Sequence, residues 1–292
     1  MRFSPALANK PKSNKSHDPN KKPADPFSNP SEGLLVSSEF SSHFIVLNKY
    51  PVIPDHFILA TKEYKLQTNL LEEDDIGATY ECLAAFRENG EELFGFFNSG
   101  EHSGASQPHR HIQFLPVESM KNGLNEKEPW DVLATTLAME NIRMCTKVLI
   151  MLPTDLILIA MPLTYFASEI EDNFTTRQLY EVYIKLHDKA CQVSGESSPG
   201  TSGELDSPIS YNLGFTSKTM IICPRTCEGI ELQSEDGEWI GPVSLNGTVL
   251  GGTLLVKSKA EWDLLRSDES KLKDILCSIG IFPSLKIHSE KI

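Results

Sequence analysis

The sequence predicts a mixed α and β fold with several antiparallel strands, and three observations lead there. Short runs rich in β-branched and aromatic residues follow one another near the start of the chain and again in its last third, broken by Pro- and Gly-bearing turns. Two longer stretches carry apolar residues at helical spacing. The chain has 292 residues, 40% of them apolar, enough for a substantial core built as one large domain or as two fused halves.

Residues 1–26 are rich in Lys, Asn, Pro and Ser, with few apolar groups after Leu7, and are expected to form a flexible N-terminal arm. Asp25-Pro26-Phe27 and then Pro30 mark entry to an ordered N-terminal half, 27–150, because proline favours extended or turn backbone. Leu34–Ser37, His43–Asn48 and Phe57–Thr61 read as strands. Between the last two, Asn48-Lys49-Tyr50-Pro51-Val52-Ile53-Pro54 fixes the backbone around Lys49, either to place a cation beside a phosphate or to discourage edge pairing. Asn69–Glu88 is expected to be the first long helix, capped by Asn69 with Glu72 and carrying Ile76, Tyr80, Leu83 and Phe86 on one face. Glu72, Glu73, Asp74 and Asp75 read as a solvated first turn favoured by the helix dipole, in preference to catalytic carboxylates or calcium ligands. Leu93–Phe97 follows as an apolar strand.

Residues 118–130 read as a polar connection, Pro129–Asn141 as a short amphipathic helix, and Val148–Leu152 and Leu156–Pro162 as buried strands. In the second half, 151–286, Thr175-Thr176-Arg177-Gln178 has the form of a capping box, and Leu179, Val182, Tyr183 and Leu186 give one helical stripe ending near Val193. Ser194–Pro208 is a surface loop by its glycines, serines and prolines. Ser210–Thr216 and Thr219–Pro224 are expected to be neighbouring strands joined at Ser217-Lys218. Asn246–Lys257 places a glycine-bearing turn before an apolar strand ending in lysine, Ser258 caps a helix with Trp262 and Leu265, and Leu272–Ile279 is the last helix, ending at Gly280 before a tail at 287–292.

A net charge of −13 argues against nonspecific nucleic-acid binding, which needs a basic surface. No stretch approaches the roughly 20 apolar residues of a membrane span, and no apolar signal core opens the chain. The expectation is a soluble, monomeric protein of the cytoplasm, with the nucleus as a second compartment. Six cysteines without paired metal spacing read as reduced thiols.

The stretch Asn98-Ser99-Gly100-Glu101-His102-Ser103-Gly104-Ala105-Ser106-Gln107-Pro108-His109-Arg110-His111-Ile112-Gln113 carries most of the functional information. A small polar loop runs into an extended segment on which a period of two puts His109, His111 and Gln113 on one face. Three readings are open: half-buried strand residues, a metal site on the two imidazoles, or a phosphate site. No carboxylate between Glu101 and Glu118 and no cysteine between Cys82 and Cys145 offers a third metal ligand. The phosphate reading accounts for the loop as well as the strand, since Gly104 and Ala105 let backbone N–H groups approach and Ser106 and Gln107 add donors.

The segment Ser103 to Gln113 resembles the active-site segment of the ATP adenylyltransferases (diadenosine tetraphosphate phosphorylases), a histidine-triad branch with glutamine in the place of the third histidine. Galactose-1-phosphate uridylyltransferases share a His-Pro-His-x-Gln version, so the flanking segments matter. Phe3–Pro11, Asn48-Lys49, Tyr211–Thr216, Met220–Arg225 and Asn246–Lys257 are also similar to the adenylyltransferases, a resemblance running from about residue 3 to residue 283. Relatives usually carry further chain ahead of the first of these.

The resemblance implies an α+β fold: a histidine-triad-like antiparallel sheet with packed helices, the two sequence halves forming one compact unit. It implies substrate contacts at Lys10, Asn48, Lys49, Asn98, Gly104, Ala105, Ser106, Gln107, Asn246, Gly247, Thr248 and Lys257, and at Thr253, where relatives can carry a larger apolar residue. It also implies phosphorolysis of diadenosine tetraphosphate to ATP and ADP. His111, the middle position of the motif, attacks the α-phosphorus, ATP leaves, and inorganic phosphate removes AMP from the imidazole as ADP. His109, Ser106 and Gln107 steady charge on the oxygens, Lys49 and Lys257 form a cationic clamp, and the neutral amide of Gln113 holds a phosphoryl oxygen without acting as a base for water. The partners expected are small nucleotides and phosphate, with no covalent cofactor, no bound metal site, and a divalent cation allowed with the nucleotide. The alternatives are hexose-1-phosphate uridylyl transfer and a nucleotide sensor without turnover.

Overall fold

The computed structural model describes residues 1–5, 25–124, 130–139, 162–199, 206–234 and 236–282. Its centre is an eight-stranded sheet, every neighbouring pair antiparallel. The N-terminal half supplies β2 (Leu35–Ser37), β3 (His43–Leu47), β4 (Phe57–Thr61), β5 (Leu93–Ser99) and β6 (His111–Pro116). The C-terminal half supplies β7 (Phe166–Glu169), β8 (Ser210–Thr216) and β9 (Thr219–Arg225), giving the order β2-β3-β4-β6-β5-β8-β9-β7. The halves are stitched by β5 and β8, paired from Gly95↔Phe215 to Ser99↔Tyr211, so the sheet runs unbroken between them.

Alternation along the strands gives the sheet two apolar faces, each of which must be covered. One, with Leu59, Phe97, Phe114, Leu213 and Phe215, is buried under α1 (Glu73–Glu88) and α4 (Thr176–Ser194). The other, with Phe94, Phe96, Leu115 and Ile221, is covered by α2 (Val117–Lys121), α3 (133–139), α5 (Lys259–Ser267) and α6 (Glu269–Ile279). Burying a side chain such as Phe114 or Leu213 fully contributes about 1.5–3 kcal/mol, so the two layers account for most of what holds the halves together. A hairpin of β10 (Gly229–Gln233) and β11 (Trp239–Ser244), unanticipated from the sequence, packs beside α5 and α6.

Several boundaries moved for local reasons. The first helix is capped by Glu72, whose N–H donates to Asp75 Oδ2 at 2.7 Å, while Asn69 is taken up in an isolated bridge to Asp206. Thr175 and Ser258 cap their helices as expected, each accepting from the N–H three residues on. Part of the expected polar connection after Pro116 is helical, because Val117 and Met120 face the core. The strand expected to end at Lys257 shrinks to β12 (Leu255–Val256), which pairs in parallel with β1 (Arg2–Phe3), so the first residues of the expected arm belong to the fold. Lys10, the strand expected over Val148–Leu152 and nearly all of that over Leu156–Pro162 lie outside the described residues. Among the described residues no helix is long and apolar enough to cross a membrane.

Candidate active site

β6 enters from an extended stretch in which Gln67 N–H donates to Pro108 O at 2.7 Å and Arg110 N–H to Lys65 O at 2.8 Å. From there a period of two puts His109, His111 and Gln113 on one side and Arg110 on the other. His111 is buried, and its Nδ1–H donates to the carbonyl of His109 at 2.7 Å. A carbonyl only accepts, so the proton stands on Nδ1 and the lone pair on Nε2, the tautomer a nucleophilic imidazole needs. Gln113, half-buried, lies two positions further along, opposite Ile58 of β4 and Phe96 of β5.

The ring of His109 is engaged by protein at both nitrogens. Nδ1 lies 2.7 Å from Asp25 Oδ2, and Nε2 lies 2.9 Å from Thr61 O and 3.0 Å from Thr61 Oγ1. In this state its side chain anchors the turn at Asp25, where Phe27 N–H donates to Asp25 Oδ1 at 2.9 Å, while its carbonyl orients His111. The ring of Phe27 sits on Phe44, Val46 and Ala60, with its centre 5.2 Å from that of His111. Nothing periodic marks Asp25 or Phe27 in the sequence; the proline between them was the only signal.

Beyond Phe96↔Gln113 the β5–β6 ladder stops, so Asn98 and His111, two residues further along, are not paired with each other across it. The side chain of Gln67 fills that gap. Its Oε1 accepts from His111 N–H at 2.8 Å, and its Nε2 donates to His111 O at 3.1 Å and to Asn98 O at 2.9 Å. One side-chain amide thus replaces a peptide group of the ladder and holds the His111 main chain at both its N–H and its carbonyl. On the far side, Arg110 is buried and donates to Asp75 at 2.7 Å and Glu72 at 2.9 Å, and Asp75 also meets His43 Nε2 at 2.8 Å. The expected solvated acidic turn is therefore partly an internal ion-pair cluster. Burial pushes the Asp75 carboxyl upward, but the His43 hydrogen bond and the Arg110 charge outweigh it and hold the pKa below the ordinary value.

The polar loop is folded against the C-terminal half. Asn98 Oδ1 accepts from Gly247 N–H at 2.8 Å and from Asn212 Nδ2 at 2.9 Å, and Asn212 Nδ2 also reaches Ser103 O at 2.9 Å. Asn246 caps the short turn Gly247–Val249, its Oδ1 accepting from Thr248 N–H at 3.0 Å. Gly104 has φ +77°, and a Cβ there would lie 2.6 Å from Leu245 O, so glycine is required by close approach as well as by backbone. Asn98, Gly104, Asn246, Gly247 and Thr248 are thus brought together, and further along the loop Ala105 and Ser106 are exposed and Gln107 is half-buried.

Other expected contact residues are engaged locally. Asn48 spends its amide on the β3–β4 turn, with Nδ2 3.0 Å from His56 Nδ1 and Oδ1 accepting from Tyr50 N–H at 3.0 Å. Lys49 is exposed, its Nζ 5.5 Å from the centre of the Tyr50 ring. Lys257 follows β12 with its N–H on Glu261 at 2.8 Å, and Thr253 is buried with its N–H on Thr248 O at 3.0 Å. Neither lysine makes an ion pair or hydrogen bond to the histidine face among the described residues.

Two family models match successive parts of the chain: the Ap4A phosphorylase N-terminal domain over residues 1–135 and the ATP adenylyltransferase C-terminal domain over residues 159–282. Diadenosine 5',5'''-P1,P4-tetraphosphate phosphorylase 2 of Saccharomyces cerevisiae is 28% identical over 97% of this chain and 83% of its own length. Protein APA1 of the same yeast is 39% identical over a shorter stretch, 32% of this chain and 31% of its own. The crystal structure of the yeast Ap4A phosphorylase Apa2 shares the fold, with a TM-score of 0.67 at 24% identity over 97% of this chain and 83% of that one. With the histidine strand, the glycine loop and the sheet joining both halves in place, the chain belongs to the Ap4A phosphorylase and ATP adenylyltransferase family.

Proposed function

We propose that this protein is an enzyme that splits diadenosine tetraphosphate with inorganic phosphate to ATP and ADP, reversibly, through an adenylyl group carried on His111. The observation that carries the reading is the hydrogen bond from His111 Nδ1–H to the His109 carbonyl, which sets the tautomer with its lone pair on Nε2, the form that can bond to phosphorus, on the strand face shared with Gln113 and Asn98. Family membership and the named activity of the yeast relative support the same chemistry. In the first half-reaction the Nε2–P bond forms as the bond from the α-phosphorus to the bridging oxygen breaks, and ATP departs. In the second, a phosphate oxygen attacks the same phosphorus and the imidazole leaves. Gln113, able to donate a hydrogen bond but not to take a proton from water, favours phosphate over water as the acceptor. Lys49 and Lys257 supply charge to the polyphosphate tail, with a divalent cation if the nucleotide brings one. Phe27 covers the His111 ring, so nucleotide entry requires the turn Asp25–Phe27 to swing away.

The test is a product assay with diadenosine tetraphosphate, with and without phosphate. ATP and ADP appearing only with phosphate is the expected result. AMP and ATP formed equally fast without phosphate would make the protein a hydrolase, and tight binding with no product would make it a sensor.

A further inference from the structure

Arg225, the last residue of β9, is 4% exposed and among the described residues has no carboxylate within ion-pair distance. Its guanidinium is held by neutral oxygens instead. Nε donates to Ile279 O at 3.0 Å, and Nη2 to the carbonyls of Cys227, Glu228 and Leu245 at 3.0, 3.1 and 3.1 Å. Nη1 donates to the side-chain oxygen of Asn212. A buried cation without a counter-ion is unfavourable, so the fold must gain something by keeping it.

What it touches leads back to the candidate site. Asn212 takes the guanidinium bond on Oδ1 and passes a bond from Nδ2 to Asn98 Oδ1 at 2.9 Å. The three groups stand donor to acceptor in one direction, so each amide is polarised by the one before it, and Gly247 N–H adds to Asn98 Oδ1 in the same sense. At the end of this chain stands Asn98 Nδ2, enclosed, in a residue 1% exposed, and without a hydrogen-bond partner among the described residues. The Gly247 N–H must face an oxygen, which settles the orientation of the Asn98 amide and leaves Nδ2 as the orphan. Asn98 is also the residue that Gln67 clamps together with His111, so the orphan donor belongs to the nucleophile's surroundings.

We propose that Arg225 is a positioning residue for the nucleotide's charge: through the amides of Asn212 and Asn98 it strengthens the Asn98 Nδ2–H as a donor to a phosphoryl oxygen. The proposal rests on the nucleotidyl-transfer reading and deepens it, since it names what the C-terminal half contributes to a reaction centred in the N-terminal half. It explains why Arg225 and Asn212, which carry no chemistry of their own, lie at the seam of the two halves. It also gives a role to an enclosed donor that has no partner among the described residues.

The experiment compares binding of AMP, an anion, with binding of adenosine, which has the same base and sugar but no phosphate. Asn212→Ala leaves the carbonyl contacts of Arg225 intact and breaks the chain in its middle. The expected result is an AMP affinity weakened roughly tenfold with adenosine binding unchanged, as befits loss of a hydrogen bond to a charged group. Asn98→Ala gives a similar selective loss, and the double variant is no weaker than Asn98→Ala alone. Should Asn212→Ala fold poorly, Asn212→Asp keeps the bond from Arg225 while removing the donor to Asn98, and it shows the same loss for AMP alone. An AMP-to-adenosine ratio unchanged in the Asn212 variants, or losses that multiply in the double variant, overturns the proposal. If the wild type makes ATP and ADP from diadenosine tetraphosphate but these ratios do not move, only the relay is wrong. If the wild type makes neither product, the enzymatic reading fails and the relay with it.

Discussion

For the proposed adenylyl transfer the backbone at His111 must do two things at once: fix the tautomer with its lone pair on Nε2 and hold the ring still while phosphorus changes partners. The His109 carbonyl does the first and Gln67 the second. Replacing Gln67 with Leu strands the His111 N–H and the two carbonyls inside the protein, and the nucleophile's main chain loses its clasp. The expected outcome is a fall in kcat of roughly ten- to a hundredfold with KM little changed, seen also in the single-turnover rate of adenylyl formation, because misplacing a reacting group acts on the chemical step. A variant that lost activity only in proportion to lost folded protein would make Gln67 purely structural. The alternation of His109, His111 and Gln113 was legible in the sequence because period two is a local property. Gln67 was not, since its role exists only where the β5–β6 ladder runs out, 44 residues away along the chain. Likewise Asp75 looked like one of four acidic residues in a first turn until Arg110, buried on the reverse of the histidine strand, claimed it.

At the scale of elements, the loop from Gly100 to Gln107 owes its shape to what packs behind it. Gly104→Ala forces a side chain into left-handed backbone and against Leu245 O, and should cost roughly 1–3 kcal/mol, read as a lower Tm, together with weaker nucleotide binding as the Asn246–Thr248 turn is pushed off. An unchanged Tm would mean that the loop is free of the C-terminal half. The loop's other end rests on Ser210, whose Oγ accepts from His102 N–H at 3.2 Å, and the segment before it is held to α4 by Ser207 Oγ and His187 Nε2 at 2.8 Å. Burial pushes the His187 pKa down from 6.5 to about 4, partly offset by Asp188. The unfolded chain therefore takes up this proton near pH 6.5 and the folded one only near 4, so stability is full above the first value and is lost as pH falls toward the second, by roughly 3 kcal/mol at most. Thermal melts of His187→Gln should show a flatter decline across that window than wild type; parallel curves would assign the acid sensitivity elsewhere. Capping boxes at Thr175 and Ser258 were readable because they are four-residue signals. The β10–β11 hairpin escaped because its alternation is broken by a register shift at Leu232/Gln233, even though Asp236-Gly237 between its strands is a turn signal.

At the scale of the whole molecule, one sheet carries both halves, and the site lies where they meet. The N-terminal half brings His111 and its Gln67 clasp; the C-terminal half brings Asn212, Arg225 and the Asn246–Thr248 turn that packs against Asn98. The α+β class and the joining of two halves were expected from the resemblance, whereas composition alone allowed only a mixed fold, because strand order depends on long-range pairings such as β5 with β8 that leave no local trace. The account's central claim is that His111 carries the adenylyl group between donor and acceptor. Intact-mass measurement of protein incubated with diadenosine tetraphosphate in the absence of phosphate, followed by peptide mapping, tests it most directly. An added adenylyl mass on the peptide containing His111, discharged as ADP when phosphate is supplied and missing in His111→Ala, is the predicted result; turnover in His111→Ala at the wild-type rate, or an adduct on another residue, would contradict it.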